Sequence, residues 1–364
     1  MKFNKISKKL AACSLAGVMM VSMLGMTAFA AEPESATGTV GAGGVSFTKT
    51  LDMSEAVGAS VPDITFSYEI KPGTYKAATD TTPEILAGIE GAEIGTVAYT
   101  YEDKAATTID KSVSVNFNKV TWPAPGIYRY IITEKATSGN DDITNDENPT
   151  RYLDVYVVNG DKIGEYRIAS QALSTSDAAP TGKQYSNKSA GFTNKYKTYQ
   201  LSLSKVVDGT MGEKRRTYNF KINFEGPANA SFTMKNDKNE DVKVVLDGDG
   251  KGSVDIALTN GSTKDIKGIP STVKYTVVEN INKKDGYTVS YKVNTKDVTS
   301  TVADATVTAA QQEMGQKDNA VVCTNFKDAV TPTGVAMTVA PYILMVAVAG
   351  IFAVLFLRRR HEEA

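Results

Sequence analysis

The sequence predicts an all-β chain organised as two successive modules, and three observations carry that reading. Strand-forming residues are plentiful: 17 tyrosines among 364 residues, with abundant Thr and Val, are punctuated by 29 glycines. Short stretches alternate apolar and polar residues, the period of a strand with one buried face. The pattern of strands in residues 31–197 is then repeated in residues 198–328. A chain of this length accommodates two ordinary domains plus terminal segments.

Residues 1–30 read as a secretory signal peptide. Lys2, Lys5, Lys8 and Lys9 form its charged region, residues 10–29 its apolar region, and Ala28-Phe29-Ala30 a small-residue cleavage site. The mature chain is expected to begin at Ala31. Leu10-Ala11-Ala12-Cys13 also spells a lipoprotein-type box, but the nine residues before it hold no apolar run, which argues against a lipid on Cys13. Without the signal a single cysteine remains, Cys323, so an intramolecular disulfide is excluded. The one histidine, His361, lies in the extreme tail. A Ser-His-Asp triad, a Cys-His pair or a His-ligated metal therefore cannot be built in the mature ectodomain. With no glycine-rich phosphate loop either, the sequence calls for no cofactor and no metal, and it does not read as an enzyme acting on external substrates. Lys and Arg number 40 against 41 Asp and Glu, a balance that offers no argument for nucleic-acid binding.

In the first module Val45, Phe47, Lys49 and Leu51 alternate as an opening strand, and residues 64–70 follow as a second. Residues 81–86, with Pro83 near their start, suggest a capped helical turn. Val113, Val115 and Phe117 mark another strand. A turn at Pro125-Gly126 leads into residues 127–134, where Tyr128, Tyr130, Ile132 and Glu134 share a face. Residues 139–148 carry Asp141, Asp142, Asp146 and Glu147. They lack a calcium-loop spacing and read as a solvated loop. Residues 152–158 form a strong strand ended by the hairpin signal Asn159-Gly160.

The stretch 191–207 joins the last strand of the first module, a charged junction and the first strand of the second. Phe192, Asn194 and Tyr196 share one face, and so do Leu201, Leu203, Lys205 and Val207. Residues 218–224 alternate as the next strand. Asp247-Gly248-Asp249-Gly250 opens like a calcium loop, but Leu258 stands where the closing Glu belongs, so a hairpin turn is expected. Tyr275, Val277 and Glu279 share a face, as do Val321, Cys323 and Asn325.

Each module thus holds a lysine on its first strand, a glutamate on a late strand and an asparagine on its last, all in the apolar register. The sets are Lys49, Glu134, Asn194 and Lys205, Glu279, Asn325. A single polar residue in such a register usually reaches water at a strand end. Two ordered triples of the same parity ask for a chemical reason. A desolvated lysine has a lowered pKa and can act as a neutral nucleophile, while a carboxyl in the same surroundings can stay protonated and polarise an amide. These residue types permit an amide exchange that joins Lys to Asn and releases ammonia. The alternative is an uncondensed buried Lys–Glu pair beside an Asn, which leaves charge buried for little net stability.

The chain closes on Thr331-Pro332-Thr333-Gly334, an apolar span over 335–357 long enough to cross a bilayer, and Arg358-Arg359-Arg360 on its cytoplasmic side. A plain tail anchor would account for the span. Pro-Thr-Gly directly before it favours a sortase cell-wall sorting signal.

Both modules and the tail resemble the streptococcal pilin isopeptide-linkage domain family, which includes the major pilins of sortase-assembled Gram-positive pili. Phe47-Thr48-Lys49, Tyr130-Ile131-Ile132-Thr133-Glu134 and Phe192-Thr193-Asn194-Lys195-Tyr196 carry the resemblance in the first module. Leu203-Ser204-Lys205, Tyr275-Thr276-Val277-Val278-Glu279 and Thr324-Asn325-Phe326 carry it in the second. The resemblance implies two tandem immunoglobulin-like β-sandwich domains, each with a self-generated Lys–Asn isopeptide bond catalysed by Glu134 or Glu279. The tail is similar to the family's Val-Pro-Thr-Gly variant, with Thr331 in place of Val, and implies cleavage between Thr333 and Gly334.

The expectation is a secreted, wall-linked structural subunit, polymerised head to tail with identical subunits by sortase and joined to peptidoglycan, with minor pilins as further partners. Its precursor would be held in the plasma membrane by the helix over 335–357. Lys188, then Lys183, are the candidate acceptors of the intermolecular bond, because both lie in the polar segment leading into the last strand of the first module. The rival expectation is a monomeric adhesin or minor pilin on the same scaffold.

Overall fold

A computed structural model describes residues 44–137, 140–182 and 184–329, with isolated positions 342, 345, 346 and 349. The signal segment 1–30, Lys183, residues 331–334 and most of the span 335–357 lie outside the described residues. Among the described residues no helix is long and apolar enough to cross a membrane. The chain divides into two compact units between Thr198 and Tyr199.

The first unit has seven principal strands: β1 (Val45–Glu55), β2 (Tyr68–Pro72), β3 (Thr108–Asn116), β4 (Gly126–Glu134), β5 (Thr150–Asn159), β6 (Tyr166–Ser174) and β7 (Gly191–Lys197). Strand β1 buries every second residue from Val45 to Met53, as its alternation requires. It lies inside one sheet, antiparallel to β3 and parallel to β7. The second sheet runs β6-β5-β4-β2. Phe47 and Leu51 of β1, Val113 of β3 and Phe192 of β7 meet Tyr130, Ile132, Leu153 and Val155 of that second sheet in one core. The two ends of the unit are therefore neighbours within a sheet, although almost the whole unit separates them in sequence.

Two local expectations are corrected. The strand expected over 64–70 is two pieces: Ile64–Phe66 pairs with Val97–Tyr99, whereas β2 pairs with β4. Residues 81–86 form no helical turn. Leu86–Ala87 is a short strand parallel to β4, and Ile85 exchanges backbone hydrogen bonds of 2.8 and 2.9 Å with Lys76. The reason is tertiary: Ile85 is fully buried against Ile127, Tyr156 and Tyr185, and pairing satisfies its backbone there. The Asn159-Gly160 signal does mark the turn between β5 and β6, which pair as a hairpin.

The second unit comprises β8 (Tyr199–Asp208), β9 (Tyr218–Glu225), β10 (Lys251–Leu258), β11 (Thr263–Ile269), β12 (Lys274–Asn280), β13 (Thr288–Val293), β14 (Thr306–Ala309) and β15 (Asn319–Phe326), with shorter strands at the edges. Strand β8 is again parallel to the last strand, β15, and antiparallel to β11. The second sheet of this unit runs β10-β9-β12-β14. The turn at residues 247–250 is present, with Asp247 Oδ1 accepting the amides of Asp249 and Lys251 at 2.9 and 2.8 Å. It is not a hairpin, however. It carries the chain from Asp241–Val245, in the sheet of β8, to β10 in the other sheet.

Candidate functional site

Each unit brings its lysine, glutamate and asparagine together in its core. In the first, Leu51 of β1 is the register partner of Asn194 on β7, so Lys49 sits two residues away on the same face. In the second, Val207 is the partner of Asn325 and Lys205 again stands two residues before. Parallel pairing of the first and last strands thus sets the same diagonal Lys–Asn neighbourhood twice. Each glutamate comes from the other sheet of its unit, Glu134 at the end of β4 and Glu279 on β12. Lys49, Asn194, Lys205, Glu279 and Asn325 are 0% exposed, and Glu134 is 4% exposed.

In the first unit the Lys49 amine lies 2.7 Å from Glu134 Oε1 and donates to Asn194 Oδ1. It also sits 4.2 Å from the centroid of the Phe66 ring. Tyr99 donates to the Lys49 carbonyl at 2.7 Å, which ties β1 down beside the site. Burial pushes the Lys49 pKa below the ordinary lysine value of 10.5, against the opposing pull of the Glu134 carboxylate. Burial likewise pushes up the phenol of Tyr68, paired with Glu134 across β2 and β4, and the carboxylate adds to that shift.

In the second unit Lys205 Nζ lies 2.9 Å from Glu279 Oε1, and Asn325 Nδ2 donates to that same oxygen at 2.8 Å. Lys205 Nζ also lies 3.4 Å from Cys323 Sγ, which in turn is 3.5 Å from Glu279 Oε2. Cys323 is the register partner of Lys205, the position held by Phe192 beside Lys49. Burial raises the Cys323 thiol above its ordinary 9.0, which keeps it protonated.

The sequence reading missed two neighbours of these triples. Cys323 was visible on the face of Asn325, but nothing in the sequence placed its sulfur against the lysine. Asn145 belongs to the acidic stretch expected to be a solvated loop, and its Oδ1 accepts from Asn194 Nδ2 at 3.2 Å. That expectation is corrected for Asp146 as well. It pairs with the buried Arg151 at 2.8 Å and accepts the Thr193 amide at 2.8 Å, so the stretch braces β7. Lys188 is exposed, and its backbone bridges to Ser174.

A buried amine, a carboxyl and a primary amide in contact can exchange the amide. The amine attacks the amide carbon, the carboxyl relays one proton from the amine to the amide nitrogen, and ammonia leaves. Desolvation lowers the pKa of Lys49, which favours the neutral, nucleophilic form of that amine.

Residues 45–197 match the family described as the Spy0128-like isopeptide containing domain, and residues 199–313 match a domain family of unknown function. The chain is 26% identical over 361 residues to a pilin of Streptococcus pyogenes serotype M1, covering 94% of this chain and 98% of that one. It is 29% identical over 137 residues to the pilus tip adhesin Cpa of Streptococcus pyogenes, covering 38% of this chain and 18% of the adhesin. Among solved structures, the major pilin protein T3.2 of Streptococcus pyogenes superposes with a TM-score of 0.58 at 22% identity, covering 78% of this chain and 98% of that one. Another major pilin of Streptococcus pyogenes gives 0.57 at 20% identity, with the same coverage of 78% and 98%. At these identities the structural likeness speaks for the fold. The first unit therefore belongs to the Spy0128-like isopeptide containing domain family, and the chain is similar along nearly its whole length to a streptococcal pilin.

Proposed function

We propose that this chain is the repeating shaft subunit of a covalent surface pilus, with an isopeptide bond formed spontaneously inside each unit. Lys49 condenses with Asn194 under Glu134, and Lys205 with Asn325 under Glu279. Each carboxyl acts once, in its own chain, so the subunit is structural rather than an enzyme. The observation that carries this reading is the duplicated geometry. A lysine stands two residues before the register partner of an asparagine on parallel first and last strands, and a glutamate reaches the lysine from the other sheet.

The rest of the chain takes its role from that reading. Residues 1–30 direct secretion, 31–197 and 198–328 are the two isopeptide sandwich domains, and 329–364 are the sorting tail. Sortase cleaves between Thr333 and Gly334 and holds Thr333 as a thioester. A lysine of the next subunit then takes over Thr333, with Lys188 as first choice and Lys183 as second. Before cleavage the precursor is held in the plasma membrane by the span 335–357. The finished polymer is joined to peptidoglycan and accompanied by minor pilins.

A minor pilin or wall-linked adhesin is the second reading, favoured by the similarity to a pilus tip adhesin. That similarity spans 18% of the adhesin, whereas the pilin is matched over 98% of its length. Surface extracts decide between them. The shaft reading expects a ladder of multimers that survives boiling in detergent, with Thr333 joined to Lys188 or Lys183 in the cross-linked peptide. A single monomer-sized species released from the wall would contradict it. A ladder joined through a lysine of the second unit would overturn only the choice of acceptor.

A further inference from the structure

The two sites orient their asparagine amides differently. In the second unit Asn325 Nδ2 faces the glutamate, 2.8 Å from Glu279 Oε1. In the first unit Asn194 Oδ1 faces the Lys49 amine, while Nδ2 points away from it, to Asn145 Oδ1 at 3.2 Å. Asn145 is itself immobilised. Its Oδ1 accepts from the Thr137 amide at 3.2 Å and from the Thr137 hydroxyl at 3.0 Å. Next to it, Asp146 binds the Thr193 amide and Arg151. A carbonyl oxygen accepts and never donates. The Thr137 amide can only donate, so it fixes the Asn145 side chain with Oδ1 at that place, where it accepts from an amide nitrogen and offers nothing favourable to an amide oxygen.

Resting on the proposed isopeptide chemistry, we propose that Asn145 is a further catalytic residue of the first unit, the acceptor that orients the Asn194 amide and receives its leaving nitrogen. The exchange forms the bond from Lys49 Nζ to Asn194 Cγ and breaks the bond from Cγ to Nδ2. One Nζ proton passes through Glu134 to Nδ2, the other stays on the new amide, and Nδ2 departs as ammonia. While the tetrahedral intermediate collapses, Nδ2 carries three protons and a positive charge. A fixed carbonyl dipole aimed at that nitrogen gains strength as the charge grows, so it lowers the barrier more than it stabilises the starting amide. The second unit proceeds without this group, its amide nitrogen lying on the carboxylate that relays the proton.

The test uses a chain of residues 31–333, which spans the strands of both units, isolated unfolded from inclusion bodies. It is refolded by dilution, quenched in acid at intervals, and followed by intact mass and by mapping each linked peptide. Asn145→Leu keeps the size and removes the acceptor. It is expected to slow the Lys49–Asn194 bond by about tenfold or more and to leave the Lys205–Asn325 rate unchanged as an internal control. Asn145→Asp keeps an acceptor and is expected to recover most of the rate. A wild-type rate in Asn145→Leu would overturn the proposal. So would equal slowing by Leu and Asp, since that marks a merely structural role. To exclude loss of folding, Asn145→Leu is also placed on the Glu134→Ala chain, where no first-unit bond forms in either case. A melting temperature there that falls below the refolding temperature assigns the slowing to instability and equally overturns the proposal. Failure of the wild-type chain to lose ammonia from either unit would instead remove the isopeptide reading on which the proposal rests.

Discussion

Lys49 is a full amine in a place that offers it one carboxylate, one amide oxygen and the face of Phe66. Desolvation outweighs the pull of Glu134, so its pKa falls below 10.5. The sign of the resulting pH dependence follows from proton counting. Between the lowered folded value and 10.5 the unfolded chain binds more protons than the folded chain, so stability rises with pH across that window. An Asn194→Ala chain keeps the amine free. Its urea midpoint is expected to climb with pH as the ordinary lysine value of 10.5 is approached from below, relative to the same chain carrying Lys49→Met. Equal slopes, or a midpoint that falls, would contradict the account of a desolvated amine. The six residues of the two triples were legible in the sequence because strand parity and chain order are both local signals. Asn145 was not legible. It sits on an irregular stretch with no period, and its contact with Asn194 is a tertiary one, 49 residues away in sequence. Asp146 misled for a related reason: an acidic residue in an acidic run looks solvated until the buried arginine that pairs with it is placed.

At the scale of elements, the parallel pairing of first and last strands sets each lysine beside its asparagine, and a glycine makes that pairing close in the first unit. Gly191 stands opposite Thr48 in the register, and a Cβ built on it would lie 1.6 Å from the Thr48 carbonyl oxygen. No rotamer can relieve a clash with backbone. Gly191→Ala must push β7 away from β1, at a cost of about 2 kcal/mol or more. The displacement is expected to lift Asn194 off Lys49, lowering the linked fraction of the first unit while the second links normally. Peptide mapping measures both fractions, and full linkage of the first unit in this variant would show that the strand contact is not limiting. The strands themselves were legible by alternation. Their partners were not, because period 2 names the buried face without naming the neighbour. That is why residues 64–70 read as one strand and split in two, and why the turn at 247–250 looked like a hairpin while it changes sheets.

At the scale of the molecule, the same buried lysine, glutamate and asparagine recur in both units, where the proposed bonds would act as staples. Lys49 and Asn194 are 145 residues apart in sequence, so their bond would close nearly the whole first unit into one loop. By the chain-entropy relation for cross-links, a loop of that size restrains the unfolded state by about 5 kcal/mol. A subunit under tension in a polymer gains more still if force enters on one bonded strand and leaves on the other. The bonds themselves are the central claim, and the intact mass of the purified chain of residues 31–333 tests them most directly. The account predicts a mass below that of the sequence by one ammonia per unit. Glu134→Ala should cancel the first loss only and Glu279→Ala the second only. A wild-type mass equal to that of the unmodified sequence would contradict it.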